Sequence, residues 1–263
     1  MKKLLLLFTV FSLIIISCSS DDSSSSEDKS VLPKTISYIY PSIYLGTNTK
    51  STLSYNGNKI VNSTDEDSKT VFTYTGDLIT KQEVFEVDRQ GKETKTDEAV
   101  YTYENGKLKT RIFKESITAQ YPDGEYIEKV VYTHASNESI SYVNYSVDKN
   151  TKAELKTSEG VLTYKDGNLI KEQRTTSSGT ATRDYEYDGK NNPLKNILGF
   201  SELLNEISDI GRGNVVKTTL KPSGSSTVVT YLTSYIYNDK NFPTKHTSYA
   251  SDASIEYEIE YTY

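Results

Sequence analysis

The residues able to carry catalytic or metal chemistry are few and scattered. His134 and His246 are the only two histidines among 263 residues. They are not spaced as in a His-x-x-x-His pair, which would place two imidazoles on one metal ion. Gly211-Arg212-Gly213 lacks the further glycine and the strand–helix context of a dinucleotide site, and no Gly-x-Ser-x-Gly nucleophile turn occurs. We predict ordinary strand or loop histidines, no metal site, no cofactor and no catalytic residue.

Carboxylates are plentiful, and Glu256, Glu258 and Glu260 lie close together in sequence. Glycoside hydrolysis needs two carboxyl groups facing a sugar at a set separation, with the acidity of one of them perturbed. These three alternate with apolar residues, which places them on the wet face of a strand, where acidity stays ordinary. A hydrolase is therefore only a remote alternative.

Cys18 is the only cysteine, and its position decides the class of the chain. The basic start Met1–Lys3 and the apolar run 4–16 are typical of a secretory signal peptide, which we assign to residues 1–17. An ordinary signal peptide beside an incidental free thiol is the alternative. Ile15-Ile16-Ser17-Cys18 resembles a bacterial lipobox, and that resemblance implies a diacylglyceryl thioether on Cys18, an acylated amino terminus and stable membrane anchoring.

Residues 18–30 are low in complexity and rich in Ser and Asp, which predicts a disordered tether after the lipidated cysteine. Asp21 and Asp22 resemble the export signal of Bacteroidetes-type lipoproteins. That resemblance implies an outer-membrane protein displayed on the cell surface by its lipid anchor. A plain spacer, with the protein left in the periplasmic leaflet, is the alternative.

The formal net charge is −6, which argues against a nucleic-acid partner because such partners need a basic face. It also argues against electrostatic adhesion to anionic lipid. No second apolar stretch approaches the length of a transmembrane helix.

A tyrosine followed by a tight turn and an aliphatic residue recurs along residues 31–263. The units are 55–60, 74–79, 103–108, 164–170 and, more loosely, 187–190 and 237–240. Asn-Gly and Asp-Gly turns adopt positive φ and predict hairpins, and tyrosine favours the flanking strands. Alternating residues between the turns give about sixteen strands. We predict one all-β domain: an antiparallel up-and-down meander of tyrosine-rich hairpins, curled or barrel-like.

One segment breaks this alternation and predicts a short inserted helix, at about residues 200–210. Its apolar residues are spaced by three and four: Ile197, Phe200, Leu203, Leu204, Ile207 and Ile210. Ser201 is the predicted amino-terminal cap, and Gly211 marks the predicted end. Asn191-Asn192-Pro193 leads in, and we expect the helix to cover one opening or face of the curled sheet.

The tyrosine-turn units resemble degenerate YD or RHS repeats. The stretch from Tyr185-Glu186-Tyr187-Asp188 through Phe242-Pro243 is similar to the carboxyl half of uncharacterised Bacteroidetes-type surface lipoproteins. In repeat families of this kind the resemblance implies a winding β-sheet. Its motifs are structural and carry no catalytic residue.

These features predict a surface-anchored, non-catalytic binding or scaffold module, whose partner is an extracellular glycan or protein. A second hypothesis is a carrier of lipid or another apolar ligand in a half-barrel capped by the helix. A carrier needs a cavity lined with small aliphatic residues, whereas a tyrosine-filled core leaves little room. A transmembrane barrel is disfavoured by the anchor and by the dominance of tyrosine on the apolar faces.

Overall fold

The computed structural model describes residues 31–207 and 211–263. Sixteen antiparallel strands form one closed barrel in up-and-down order, which confirms the predicted all-β class and the strand number. The strands are β1 Thr35–Ile39, β2 Thr49–Asn56, β3 Lys59–Thr64, β4 Ser68–Thr75, β5 Leu78–Val87, β6 Glu93–Glu104, β7 Lys107–Glu115, β8 Tyr126–His134, β9 Ser139–Val147, β10 Glu154–Lys165, β11 Asn168–Thr176, β12 Gly179–Tyr187, β13 Val215–Lys221, β14 Val229–Tyr237, β15 Pro243–Tyr249 and β16 Ile255–Thr262.

Closure is made by β1, which pairs with both β2 and β16. Thr35 lies opposite Thr262, so the start of the first strand and the end of the last strand meet at one rim. We call this rim the hairpin end, because five short turns lie there: β2–β3, β4–β5, β6–β7, β8–β9 and β10–β11. The opposite rim, which carries longer connections such as 40–48 and 116–125, is the loop end.

The hairpin turns have the backbone that their sequence predicts. Asn105 and Gly106 have φ values of 52° and 75°, and Asp166 and Gly167 have 52° and 78°. Positive φ at both central residues matches the right-handed twist of the flanking strands, and glycine reaches it without a Cβ clash.

Tyrosines at these turns form a ring around the hairpin end. In each tyrosine-turn unit the strand register shifts at the tyrosine, as between Ser54 and Tyr55 or between Thr102 and Tyr103. Several of these hydroxyls, together with those of Tyr235 and Tyr263 near the same rim, donate to a backbone carbonyl of an adjoining segment. These bonds are Tyr55 to Pro33, Tyr74 to Leu198, Tyr103 to Ile79, Tyr187 to Leu169, Tyr235 to Val215 and Tyr263 to Pro243, at 2.7–2.9 Å. The Tyr237 hydroxyl donates instead to the Asp188 carboxylate, and the Tyr164 hydroxyl has no partner among the described residues. The recurring unit is therefore one hairpin of the barrel.

The barrel interior holds the apolar core, as the alternation predicts. Tyr101, Tyr132 and Tyr142 are buried there among aliphatic side chains. The aliphatic members include Leu53, Ile60, Ile79, Leu108, Ile140 and Leu162. Tyrosine thus serves mainly as core packing, with its hydroxyl reaching a polar partner.

Between β12 and β13 the chain turns into the barrel, and we call residues 188–207 the inner segment. Ile197, Phe200 and Leu203 join the core cluster, while the Leu198 amide donates to Asn58 O at 2.9 Å. The Asn196 side chain donates to Val31 O at 3.1 Å. The inner segment therefore crosses the hairpin end, in agreement with the predicted cover over one opening.

The inserted helix is shorter than the spacing predicts. It is a 3-10 helix at Ser201–Glu206, interrupted by Leu204 at φ 58°. The predicted cap is wrong, because the Ser201 hydroxyl bonds Glu202 and makes no capping bond. The predicted end at Gly211 is also wrong, because Ile207 is already extended. Apolar residues at this spacing pack here against several barrel walls, so burial does not require a continuous helical face.

The predicted signal peptide, Cys18, Asp21 and Asp22 lie outside the described residues, as do residues 208–210. Among the described ranges, no helix is long and apolar enough to cross a membrane.

Candidate functional site

The outer face of the barrel carries paired charged side chains along its strands. Lys129 pairs with Glu154 at 2.7 Å, and Lys245 pairs with Glu258 at 2.8 Å. A larger cluster spans β5, β6 and β7 and comprises Lys81, Glu83, Lys95, Glu98 and Lys114. Ile236 of β14, a large apolar residue, is 61% exposed. Glu258 lies on the outer face and pairs with Lys245, as the sequence predicts, whereas Glu256 lines the interior, contrary to the prediction that the three glutamates share one face.

Inside the barrel a cavity of about 540 Å³ lies beside the inner segment, along strands β11 to β16. Leu204 and Ile207 of the inner segment line part of it. Five tyrosines of strands β12, β14 and β16 also line it: Tyr185, Tyr187, Tyr231, Tyr235 and Tyr257. A volume of this size is in the range that small-molecule ligands occupy.

Charged side chains also line this cavity. Glu172 accepts a hydrogen bond from the Tyr142 hydroxyl at 2.7 Å, and Arg183 lies 3.8 Å from its other oxygen. Glu172 and Asn205 also line a second cavity of about 250 Å³, together with Arg174. The two cavities are thus neighbours, separated by polar groups.

The inner segment is held against the barrel wall by Glu206. Arg111 Nε lies 3.0 Å from one carboxylate oxygen of Glu206, and the Tyr132 hydroxyl donates to the other. Burial raises the pKa of Glu206, and the nearby Arg111 charge opposes that shift. Burial also raises the pKa of Tyr132, with the Glu206 charge adding to it. This buried group fixes the position of the cavity lining.

His246 lines this cavity with a buried side-chain nitrogen that lacks a hydrogen-bond partner. It is 5% exposed, and its Nε2 has no hydrogen-bond partner among the described residues. Burial lowers the pKa of His246 to about 4, so the imidazole is neutral near pH 7. A neutral, unpartnered imidazole nitrogen suits a hydroxyl-bearing ligand better than an ionic one.

The second histidine has a structural role. His134 lies at the end of β8, and its Nε2 contacts Leu108 O at 2.8 Å. It takes the place in the hairpin-end ring that tyrosine takes elsewhere. Within the described ranges, no group of three or more His, Cys, Asp or Glu side chains could hold a metal ion.

Sequence patterns did not single out the inward-facing charges Arg111, Glu172, Arg174 and Arg183. For two of them, the alternation along the strand nevertheless indicates an inward-facing position. Arg183 precedes Tyr185 by two residues and therefore shares its face, and Arg111 stands in the same relation to Phe113.

Comparison with solved structures finds 17 similar chains, among them two porin-like proteins. A porin-like protein from Bacteroides vulgatus matches with a TM-score of 0.59 at 13% identity, covering 89% of this chain and 98% of that one. A porin-like protein from Bacteroides uniformis matches with a TM-score of 0.52 at 9% identity, covering 88% and 97%. No family model matches the chain. No curated protein matches it either. At these identities the likeness concerns the fold.

Proposed function

We propose that this chain is a lipid-anchored, non-catalytic barrel that binds a carbohydrate in its lumen at the bacterial cell surface. The observation that carries the proposal is the cavity of about 540 Å³ with walls of tyrosine, His246 and the Arg183–Glu172 pair. Aromatic faces stack on the apolar faces of sugar rings, and a few placed polar groups bond their hydroxyls.

A pore across the membrane fits the outer face poorly. A transmembrane barrel carries an apolar band about 25 Å tall on its outside. The outer face here carries the Lys129–Glu154 and Lys245–Glu258 pairs and the charged cluster on β5 to β7. Such groups are costly in hydrocarbon, so the wall belongs in water.

In this proposal, the lipid on Cys18 attaches the water-exposed barrel to the membrane and orients it. The described chain enters at the hairpin end, where Val31 contacts Asn196. A tether ending there would leave the loop end, and the luminal opening, pointing away from the membrane. Residues 21 and 22 support display on the outer leaflet.

The apolar-carrier hypothesis is less well supported by the cavity walls. Leu204, Ile207 and a few other aliphatic residues line part of the cavity. The rest of the lining includes Arg183, Glu172 and Glu256, whose burial against an acyl chain would be unfavourable.

A hydrolase would need two free carboxyl groups facing the sugar. Glu172 and Glu206 line the same smaller cavity. Both are engaged, Glu172 by Tyr142 and Glu206 by Arg111 and Tyr132, in bonds that hold the interior together. We therefore assign them to structure.

The test uses the full-length protein extracted with mild detergent from the envelope of its own bacterium. We expect a printed neutral-glycan array to retain it, and we expect native mass spectrometry to show no co-purifying acyl-chain mass. An empty array would overturn the carbohydrate proposal. A bound mass of a few hundred daltons with lipid fragmentation would replace it with the carrier.

A further inference from the structure

Six aromatic rings form a continuous row on the inner wall, from the hairpin end to the loop end. Tyr237 and Tyr235 stack at 5.9 Å between ring centroids, and Tyr235 meets His246 at 5.1 Å. His246 meets Tyr257 at 5.6 Å. Tyr257 then contacts Tyr38 and Tyr40 at 6.0 and 5.9 Å. We call these six residues the aromatic row.

The row crosses four neighbouring strands and the start of one loop. Tyr237 ends β14 at the hairpin end, whereas Tyr257 lies near the start of β16 at the loop end. Tyr40 follows β1 and begins the connection 40–48, where Ile43 and Tyr44 are 84% and 94% exposed. The row therefore runs from the loop end along the cavity wall to the hairpin end.

Core packing alone does not account for this row. Tyr235, His246 and Tyr257 line the cavity, and Tyr38 is 37% exposed. The fully packed tyrosines, such as Tyr132 at 1% exposure, lie on the other side of the barrel among aliphatic side chains. Ring faces that stay open toward a cavity are available to a ligand.

His246, the polar member of the aromatic row, gives a second reason to expect a ligand there. The buried His246 Nε2 has no hydrogen-bond partner among the described residues, and a ligand hydroxyl that reached it would supply one. The aromatic row itself contains no carboxylate, lysine or arginine, so it favours a neutral ligand.

We propose, building on the carbohydrate function above, that the aromatic row is the binding track for a linear neutral oligosaccharide, with His246 as its hydrogen-bonding anchor. Successive pyranose rings stack on Tyr40, Tyr38, Tyr257 and Tyr235, and a hydroxyl bonds His246 Nε2. The ligand enters by its chain end from the loop end. Affinity grows with chain length until the row is covered.

The test compares variants of the full-length protein on printed neutral oligosaccharides, from monosaccharide to about hexasaccharide. Tyr257→Leu removes a stacking face, whereas Tyr257→Phe keeps it. His246→Phe keeps the ring and removes the nitrogen. Ser146→Ala, in the smaller cavity, is the control for general damage to the lumen.

We expect wild-type binding to rise with chain length, and the Tyr257→Leu and His246→Phe proteins to bind about tenfold more weakly. Tyr257→Phe and Ser146→Ala should bind as wild type. If the wild type binds and both the Tyr257→Leu and the His246→Phe proteins bind as tightly as it does, the aromatic row is not the binding track. The proposal that the lumen binds carbohydrate would still stand. If the wild type binds no saccharide, both proposals fail.

Discussion

At the scale of single residues, the chemical properties of a side chain in this protein depend more on where it is buried than on its type. His246 and His134 are chemically the same residue, yet one loses its hydrogen-bond partner in the cavity wall and the other contacts Leu108 O in the hairpin-end ring. Their positions in sequence do not distinguish them. The first two predictions concern individual positions of this kind.

His246 makes stability depend on pH. Its folded-state pKa of about 4 lies below the ordinary value of about 6.5, so the unfolded chain binds the proton more readily. Stability is therefore full above about pH 6.5 and falls by up to roughly 3 kcal/mol as the pH drops through about 4.

Equilibrium urea unfolding between these pH values measures the effect. His246→Gln should reduce the slope by the contribution of the imidazole, while carboxyl groups such as Glu206, whose pKa burial raises, titrate in both proteins. Glu256 lines the same cavity and Tyr235 and Tyr257 flank the imidazole, and all three are common to both proteins. Identical slopes in the two proteins would contradict the assignment.

A comparison of Gly106 with Gly189 distinguishes backbone strain from steric crowding. A Cβ added at either meets nothing within 4 Å, but only Gly106 has positive φ, at 75°. Gly106→Ala should cost about 1 kcal/mol of unfolding free energy, while Gly189→Ala should stay within about 0.5 kcal/mol. Thermal and urea unfolding would show it, and equal effects would be inconsistent with a strained turn.

At the scale of elements, most hairpins at the hairpin end are joined to a neighbouring segment by a side-chain bond as well as by their strand ladder. In the units of Tyr55, Tyr103 and Tyr187, the tyrosine at the register shift also carries the hydroxyl that makes this bond. The inner segment is joined in the same way, because the Tyr74 hydroxyl donates to Leu198 O at 2.9 Å, and Glu206 attaches it to the wall.

Tyr103 and Tyr164 occupy equivalent positions but differ in bonding. The Tyr103 hydroxyl donates to Ile79 O at 2.7 Å, whereas the buried Tyr164 hydroxyl has no partner among the described residues. Tyr103→Phe should lower the free energy of unfolding by about 1 kcal/mol, and Tyr164→Phe should leave it unchanged or raise it by about as much. A larger loss at Tyr164 would show that its hydroxyl is bonded.

Arg111 secures the inner segment by compensating the charge of Glu206. Arg111→Ala leaves a buried carboxylate unpaired and should cost about 3 kcal/mol. Adding Glu206→Gln should recover part of that loss, since the neutral amide needs no cation.

Lys217→Ala is the control for Arg111, because its 2.7 Å pair with Glu186 is largely exposed. It should cost less than about 1 kcal/mol. Urea unfolding ranks the three proteins, and a double variant no more stable than Arg111→Ala would argue against charge compensation.

At the scale of the whole molecule, one closed sheet separates a polar outer wall from a tyrosine-rich lumen. Closure removes every exposed sheet edge and leaves two rims. The inner segment covers the hairpin end, where it contacts Val31, the first described residue, and the loop end carries longer connections such as 40–48 and 116–125.

The polar outer wall predicts that the barrel needs no detergent once its lipid is absent. The Cys18→Ala protein should sediment as a soluble species in plain buffer, whereas the lipidated protein should require detergent. A Cys18→Ala protein that stays soluble only with a detergent belt would indicate a membrane-embedded wall.

The sequence by itself determined the class, the number of strands and the hairpin turns of this protein. These features depend on local rules: alternation fixes which side chains share a face, and Asn105-Gly106 and Asp166-Gly167 set turns through their own backbone preferences. The face shared by Tyr257, Ile259 and Tyr261 was predictable for the same reason. Delivery through Cys18 stays a prediction of the sequence.

Only the tertiary structure decided the closure, the cavity and the neighbours of each inward side chain. Pairing of β1 with β16 joins residues more than 200 positions apart, which no local pattern encodes. The aromatic row exists because β14, β15, β16 and β1 become neighbours in the closed sheet. The inner segment follows tertiary burial rather than helical spacing, because its apolar residues contact several walls at once.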